Sequence, residues 1–431
     1  MAAIIEWRLA GEMERRRLLA RGGTAAPDPE LVKSVTDLVQ RVRLRGDEAL
    51  AEALDRFHCV KAGLRVGAAE LEAAGGELDD TLKEAVRMSI AQVRAFNETA
   101  LARSHWRVER DGVTVGELVR PIESAGLYVP CGKGSFPSVL IMLATPALVA
   151  GVGRIALVVP PCVDGRVDPA VLFAAHELGL TEVYRSNGPA GIAALACGTA
   201  TIPAVRKLVG PGSPAVSVAM AAAQRLGCVV ETGFGPTDLM IVCDGSADPR
   251  LLAADLLNEA EYGFDSAAVL VGTDRQVLER AAAELAAQID ELPGPRRDYA
   301  EKSVRGNGGI VLVGSAEEAM AVANAYAPEH LQLAVAEPEA WLPLVRHAGA
   351  VLLGQWTTPA ASNFAIGTPA TLPTTGFAKV TSGVSVHTYL TRIPVAQLDK
   401  DAFWRLAPTI IALAEHEDFP AHAATVTVRQ N

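Results

Sequence analysis

The chain has 431 residues, half of them hydrophobic, with 38 glycines, 26 prolines and few aromatics. Fifty acidic against 39 basic residues leave a formal net charge of −11, which argues against nucleic-acid phosphates and anionic membrane surfaces as partners. Such a composition suits an Ala/Val/Leu-rich α/β enzyme rich in tight turns and excludes a disordered or fibrous chain.

The length allows two or three domains with a large core. Met1-Ala2-Ala3-Ile4-Ile5 runs straight into Glu6-Trp7-Arg8, unlike a signal peptide. The apolar run Ile141–Ala150 is too short to span a bilayer and is broken by Pro146. Cys59, Cys131, Cys162, Cys197, Cys228 and Cys243 form no close pairs, so neither a disulfide framework nor a thiolate zinc site is indicated. Most lie in apolar runs and are expected in the core. A soluble, cytoplasmic protein of a reducing compartment is therefore expected.

In chain order, the first twenty or so residues read as a short helical arm ending at Gly22-Gly23. From Asp28 to about Ala102 the pattern is helical: Leu31, Val35, Leu38, Val39 and Val42 recur at helical spacing, and Asp79–Phe96 is amphipathic. Alternation from Trp106 to Leu118 predicts a hairpin turning at Asp111-Gly112. From Gly126 onward strands alternate with helices, which implies a mainly parallel, helix-covered sheet. The predicted strands are Ile155–Val159, Leu239–Val242, Ala268–Val271, Ile310–Val313, Leu331–Val335 and Val351–Leu353. Helices are expected at Ser138–Ala150, Pro214–Arg225, Ala247–Glu261, Gln276–Gln288, Ala316–Ala325 and Glu337–His347. Beyond Pro373 the chain reads as loop followed by one helix, from about Ala402 to Glu415.

Three glycine-rich segments invite a cofactor. Gly151-Val152-Gly153 has a helix before it and a strand after it, the reverse of a dinucleotide fingerprint, so it is expected to cap the helix and turn the chain. Gly126–Gly134 and Val209–Ser213 each lead into a helix and could cradle a phosphate or merely turn tightly. Ser213 and Pro214 mark a helix start, as N-cap and first helical residue.

The most informative segment is Tyr326-Ala327-Pro328-Glu329-His330-Leu331. Pro328 disfavours helix at Ala327, leaving Glu329 and His330 on a turn between a helix and a strand. Adjacent side chains there should point apart and address different sides of a ligand. Taken alone, a solvated acid and His on a surface turn would be the simpler reading.

The chain resembles the histidinol dehydrogenase family over its whole length. The likeness is carried in order by Ile5-Glu6-Trp7, Arg45-Gly46-Asp47-Glu48-Ala49-Leu50, Arg120-Pro121, Gly126-Leu127-Tyr128-Val129-Pro130, Met142-Leu143-Ala144-Thr145-Pro146-Ala147, Val209-Gly210-Pro211-Gly212, Gly235-Pro236, Pro328-Glu329-His330-Leu331 and Leu372-Pro373-Thr374. The resemblance implies an α/β fold with two Rossmann-like domains and small terminal arms. It places an N-terminal arm at 1–23 and a substrate and catalytic domain at 24–127 plus 239–384. An NAD-side domain covers 128–238, and a C-terminal arm at 385–431 crosses into the partner's site. Expected chemistry is oxidation of an amino alcohol through an aldehyde to a carboxylate, reducing two NAD, in a homodimer with shared sites.

By position, Glu329 and His330 match the family's acid/base pair, Glu417 a substrate contact, His422 a zinc ligand and Tyr128 an NAD contact. Departures surround the metal and substrate. The family's Gln, His, Asp and His ligands stand here as Glu259, Tyr262, Asn363 and His422. Its substrate-contacting Ser is Thr237, and its Asn-His pair after Gly367-Thr368 is Pro369-Ala370. Two NAD contacts, a Gln and an Asn, align with Ala190 and Ser213. Exchanging Gln for Glu259 and Asp for Asn363 keeps the charge, and Glu259 and Tyr262 share a helix face. A neutral phenol is nevertheless a poor ligand beside imidazole. Zinc, or another divalent metal, is therefore expected to be weak or absent, with Glu259, Tyr262, Asn363 and His422 joining Thr237, His330 and Glu417 around substrate. The leading expectation is an NAD-dependent dehydrogenase of a small polar amino alcohol. The alternatives are the family's own reaction on L-histidinol and a non-catalytic ligand-binding paralogue. A metal-dependent hydrolase would need a His-Glu helical motif that is missing.

Overall fold

The computed structural model describes residues 4–19, 27–58, 63–131, 134–162, 164–231 and 233–430. Its strands in chain order are β1 (Ile4–Glu6), β2 (Trp106–Arg110), β3 (Val113–Pro121), β4 (Ser124–Tyr128), β5 (Arg154–Val159), β6 (Glu182–Arg185) and β7 (Lys207–Val209). The remainder are β8 (Val229–Val230), β9 (Asp238–Cys243), β10 (Ala267–Gly272), β11 (Gly309–Leu312), β12 (His330–Ala334), β13 (Ala350–Leu353) and β14 (Leu390–Leu398).

Two all-parallel sheets form the body. One has the order β6-β5-β4-β7-β8, the other β1-β11-β10-β9-β12-β13. Their strands are unbroken apolar runs such as Ala267–Gly272, buried at every residue, because helices cover both faces. Helix starts are set by Asp and Ser caps: Asp28, Asp79, Asp168, Asp248, Asp274 and Ser315 each accept a backbone N–H of the first turn. The hairpin expected at Asp111-Gly112 is present; both residues have positive φ, 52° and 77°, as a two-residue turn requires. Gly151, left-handed at φ 84°, ends the helix Pro137–Ala150 as a cap.

In each parallel sheet the order reverses once. Strands β4, β5 and β6 run one way from the first crevice and β7 and β8 the other; in the second sheet the reversal lies between β9 and β12. Open α/β sheets bind ligands at such reversals.

Several expectations need correction. The N-terminal segment contributes a strand, β1, pairing with β11, before its helix Glu12–Leu19. Residues 124–128 form a buried strand, not the start of a loop. Residues 390–398, expected in a loop-rich tail, pair antiparallel with β3 along nine residues, so that a third, antiparallel sheet is completed from the C-terminal side. The helix expected over 337–347 is a short helix, Pro338–Trp341, followed by a 3-10 turn; Pro343 interrupts it. Of the five cysteines described, Cys228 and Cys243 are buried, Cys131 and Cys197 half-buried and Cys162 exposed.

Packing also differs from the expected grouping of 24–127 with 239–384. Val35, Leu38, Val39 and Val42 pack with Tyr128, Ala156, Ile192 and Leu208, and Val86, Ile90 and Val93 with Leu127 and Leu143. These helices therefore cover the first sheet. We propose a division in which residues 27–102 go with that sheet, while β1 and 238–353 form the other unit.

Candidate active site

The helix Ala316–Tyr326 ends at Tyr326, and Ala327 takes a left-handed conformation, φ 57° and ψ 68°, rather than the extended one that Pro328 favours. The chain then enters β12 at His330, which is thus the first strand residue and not part of a turn. Gly349 beside it must be glycine: a Cβ there would lie 2.6 Å from the Glu329 carbonyl oxygen.

Glu329, His330, Glu259 and Asp238 are all buried, with His330 only 1 % exposed. Glu329 Oε2 accepts the Thr237 hydroxyl at 2.6 Å and the Asp238 N–H at 3.0 Å. The same Thr237 hydroxyl contacts Glu259 Oε2, and the other Glu259 oxygen accepts from Asn258 Nδ2 at 3.0 Å. A hydroxyl has one proton to give, so Thr237 ties two carboxyls into one unit. His330 Nδ1 lies 3.8 Å from Glu259 Oε1, and both His330 nitrogens are buried without a hydrogen-bond partner among the described residues. Donor atoms of Glu259, Glu329 and His330 all lie within 4.8 Å of one another. The acid and the imidazole therefore converge on one recess, contrary to the expectation that they point apart. The cause is the turn at Ala327-Pro328, which precedes regular strand alternation.

Electrostatics oppose charge on both groups. Burial, then the Glu259 and Asp238 carboxylates, push Glu329 well above the usual carboxylate range, against the bonds from Thr237 and Asp238. Burial pulls His330 down to about 4, against the attraction of Asp238. His330 is a neutral base at physiological pH. Burial and the nearby Glu259 and Glu329 charges keep Tyr262 protonated, and the Asn363 side chain hydrogen-bonds to it.

The site sits at the sheet's reversal but on the N-terminal edge of β9 and β12, opposite the usual ligand edge. Expected residues Thr237, Glu259, Tyr262, Glu329, His330 and Asn363 are brought together there. Glu417 and His422 are not. Both are exposed on the C-terminal arm, where His422 stacks on Phe419, and among the described residues no hydrogen bond or ion pair joins them to the recess. Pro369 lines a separate cavity of about 560 Å³ along β13, with Gly349, Phe96 and His387. Sequence reasoning missed Asp238, whose carboxylate accepts the Glu329 N–H at 2.7 Å and the Thr375 N–H at 3.2 Å. The signal was present: an acid opening an otherwise apolar strand.

The four positions matching a metal site do not make a zinc site. They offer a carboxylate already bonded through both oxygens, a protonated phenol and a carboxamide, the last two weak zinc donors, plus His422 of the C-terminal arm; the donor atoms of Glu259, Glu329 and His330 that lie within 4.8 Å of one another are a different set.

The expected NAD contacts fit a nucleotide better. Tyr128 ends β4, Gly210 follows β7, and the helices Gly188–Cys197 and Pro214–Gln224 begin at the same edge, so all line the first sheet's reversal. A Cβ on Gly188 would meet the Tyr128 hydroxyl at 2.7 Å, and one on Gly210 would collide with the Tyr128 backbone; only glycine permits this approach. Ser213 is an exposed N-cap whose side chain makes no cap bond, while Ala190, fully buried, can offer only backbone. Gly132 and Lys133 of the adjoining loop lie outside the described residues.

Two parallel sheets, each with one reversal of strand order and helices on both faces, define an α/β protein of the Rossmann-like class. The chain belongs to the histidinol dehydrogenase family, whose model matches residues 24–430. It is 39 % identical over 401 residues to the histidinol dehydrogenase of a Synechococcus species, covering 92 % of each chain. It is also 39 % identical over 437 residues to that of Desulfotalea psychrophila, covering 99 % of each. The crystal structure of histidinol dehydrogenase from Elizabethkingia anophelis superposes with a TM-score of 0.94 at 31 % identity, covering 100 % of this chain and 98 % of the other. No helix among the described residues is long and apolar enough to cross a membrane.

Proposed function

We propose that the protein is an NAD-dependent dehydrogenase that carries an amino alcohol through its aldehyde to the carboxylate, and that L-histidinol is the first substrate to try. The observation that carries this reading is the buried pair of a neutral His330 and an upshifted Glu329 converging on one recess. The relatives' names point to histidinol.

Tyr128, Gly188, Gly210 and Ser213 would hold the nucleotide, which when bound accepts hydride from the carbinol carbon. His330, neutral and without a partner, removes the hydroxyl proton as the carbon is oxidised. The second oxidation needs a hydrated aldehyde. Glu329, fixed by Thr237 and Asp238, takes a proton from the attacking water. Burial excludes bulk solvent and keeps His330 neutral, whereas Glu329 must first ionise against its raised pKa, after which it is the stronger base.

An alcohol other than histidinol is the second reading, favoured by one observation: a Tyr262–Asn363 pair stands where the family's His and Asp ligands would. NADH formation from L-histidinol and a panel of amino alcohols tests both. Two NADH per L-histidinol supports the first reading. Turnover of another amino alcohol but not histidinol supports the second, and no NADH from any alcohol overturns the proposal.

A further inference from the structure

The segment between β4 and the helix Pro137–Ala150 stands where an open α/β sheet receives the diphosphate of a dinucleotide. It follows a strand beside the reversal and leads into the first crossover helix. The described side chains of that sheet's own unit bring little positive charge to it. Tyr128 is a phenol that burial keeps protonated, Ser213 is a hydroxyl, and Asp168, which accepts the Ser135 hydroxyl at 2.8 Å, adds a carboxylate.

A guanidinium reaches the segment from the other unit. A Cβ on Gly134 would lie 3.8 Å from Arg296 Nη2, while Arg296 Nη1 donates to the Glu261 carbonyl at 3.0 Å. Glu261 is the C-cap residue of the helix Pro249–Ala260, which carries Glu259. One side chain therefore touches both the glycine segment and the helix behind the acid/base recess. Capping that helix end is a sufficient reason for the Glu261 bond, since cations are favoured there. It does not explain the origin of the side chain. Arg296 and Arg297 lie in the first turn of the helix Gly294–Gly306, which holds no acid in that turn and whose dipole opposes cations. Beside Arg296, the Arg297 Nε is buried without a hydrogen-bond partner among the described residues. A bound anion would offset this concentration of positive charge.

We propose that Arg296 is a cofactor contact supplied by the second-sheet unit: its guanidinium donates to the diphosphate of the bound nucleotide, which thereby bridges the two units. The proposal rests on the nucleotide-dependent reading for the identity of the ligand. The five N–H groups of a guanidinium allow the Glu261 bond and a phosphate contact together, and its planar fork matches phosphate oxygens. The nucleotide is then tied to the same helix end that presents Glu259 to the recess.

The test displaces NADH from the full-length protein, followed by NADH fluorescence, with ADP and with adenosine, which lacks the phosphates. Wild type should bind ADP more tightly than adenosine. Arg296→Gln, which removes the charge but keeps a donor for the Glu261 carbonyl, is first shown folded by its unfolding transition. In it the advantage of ADP should fall at least roughly tenfold, the order of one charge-assisted hydrogen bond, with adenosine little changed. Arg296→Lys, which keeps the charge, should lose less. An unchanged advantage in Arg296→Gln, or equal losses for ADP and adenosine, would mean that Arg296 acts only on the fold and would overturn the proposal. A wild type that binds NADH without preferring ADP to adenosine overturns it without any variant, and leaves the dehydrogenase reading standing. A wild type that binds no NADH sinks that reading and this proposal together.

Discussion

Glu329 and Asp238 exchange hydrogen bonds across two neighbouring strand starts: the Glu329 N–H donates to Asp238 Oδ1 at 2.7 Å, and the Asp238 N–H donates to Glu329 Oε2 at 3.0 Å. Each carboxyl thus satisfies the other's backbone, and the acid is fixed to the sheet rather than to a loop. Replacing Asp238 by Ala leaves the Glu329 and Thr375 N–H groups without that acceptor. A loss of about 1–3 kcal/mol in denaturant unfolding is expected, with turnover falling roughly 10²-fold from displacement of Glu329. Unchanged turnover in a stable Asp238→Ala protein would show that this lock does not position the acid.

The acid/base roles separate by stoichiometry. His330→Asn should impair both oxidations and Glu329→Gln chiefly the second, each by roughly 10²–10⁴-fold. Glu329→Gln should then yield one NADH per substrate and accumulate aldehyde, measurable by trapping. Wild-type carboxylate formation in Glu329→Gln would remove the water-activating role.

Protonation of His330 ties stability to acid. Its pKa is about 4 in the fold against 6.5 outside it, so between these values the unfolded chain binds the extra proton. Stability from this group is complete above pH 6.5 and is lost as pH falls toward 4, by roughly 3 kcal/mol. Glu329 has the opposite sign: its raised pKa costs stability as pH rises above 4.5. Unfolding curves at pH 7 and pH 4.5 should show a smaller acid loss in His330→Gln than in wild type. Equal losses would mean that the imidazole is charged or exposed in the folded protein.

The metal question has a gain-of-function test. Wild-type turnover should be little affected by chelator. The triple variant Glu259→Gln, Tyr262→His and Asn363→Asp restores the family's residue types and should bind zinc far more tightly, read by metal content after dialysis. Near-stoichiometric zinc in wild type, lost together with activity on chelation, would contradict the reading.

The C-terminal arm is proposed to complete a neighbouring subunit's site, because Glu417 and His422 are exposed and do not reach the recess of their own chain. Truncation must fall after Asp399, since β14 pairs with β3 up to Leu398. Such a chain should fold yet lose activity. Mixing His330→Ala with His422→Ala should restore partial turnover through hybrid dimers carrying one intact site. No recovery despite demonstrated subunit exchange would argue against shared sites.

By itself the sequence determined the parallel α/β class, the hairpin at Asp111-Gly112 and helices such as Pro137–Ala150, Pro214–Gln224 and Ala316–Tyr326 to within a residue, because these depend on periodicity, Gly and Asp at turns and side-chain caps within a few residues. The helices Pro169–Glu177, Gly188–Cys197 and Gly294–Gly306 were not read. The Glu329-His330 pair was legible for the same reason, as a polar dipeptide at a helix–strand junction. Short strands such as β7 and β8, of three and two residues, carry too little pattern to be read; they exist because neighbours pair with them. The strand β14 was hidden for another reason: Leu390, Ile393, Val395 and Leu398 do not alternate strictly, and Pro394 argues against a strand except at a sheet edge. Only the tertiary structure decided that Thr237 and Asp238, some ninety residues before Glu329, bond to it, and that β9 and β12 lie side by side at the reversal of the sheet. It also decided that His330 is neutral. The shift comes from burial among helices and strands distant in sequence, and desolvation has no signature in the residues on either side.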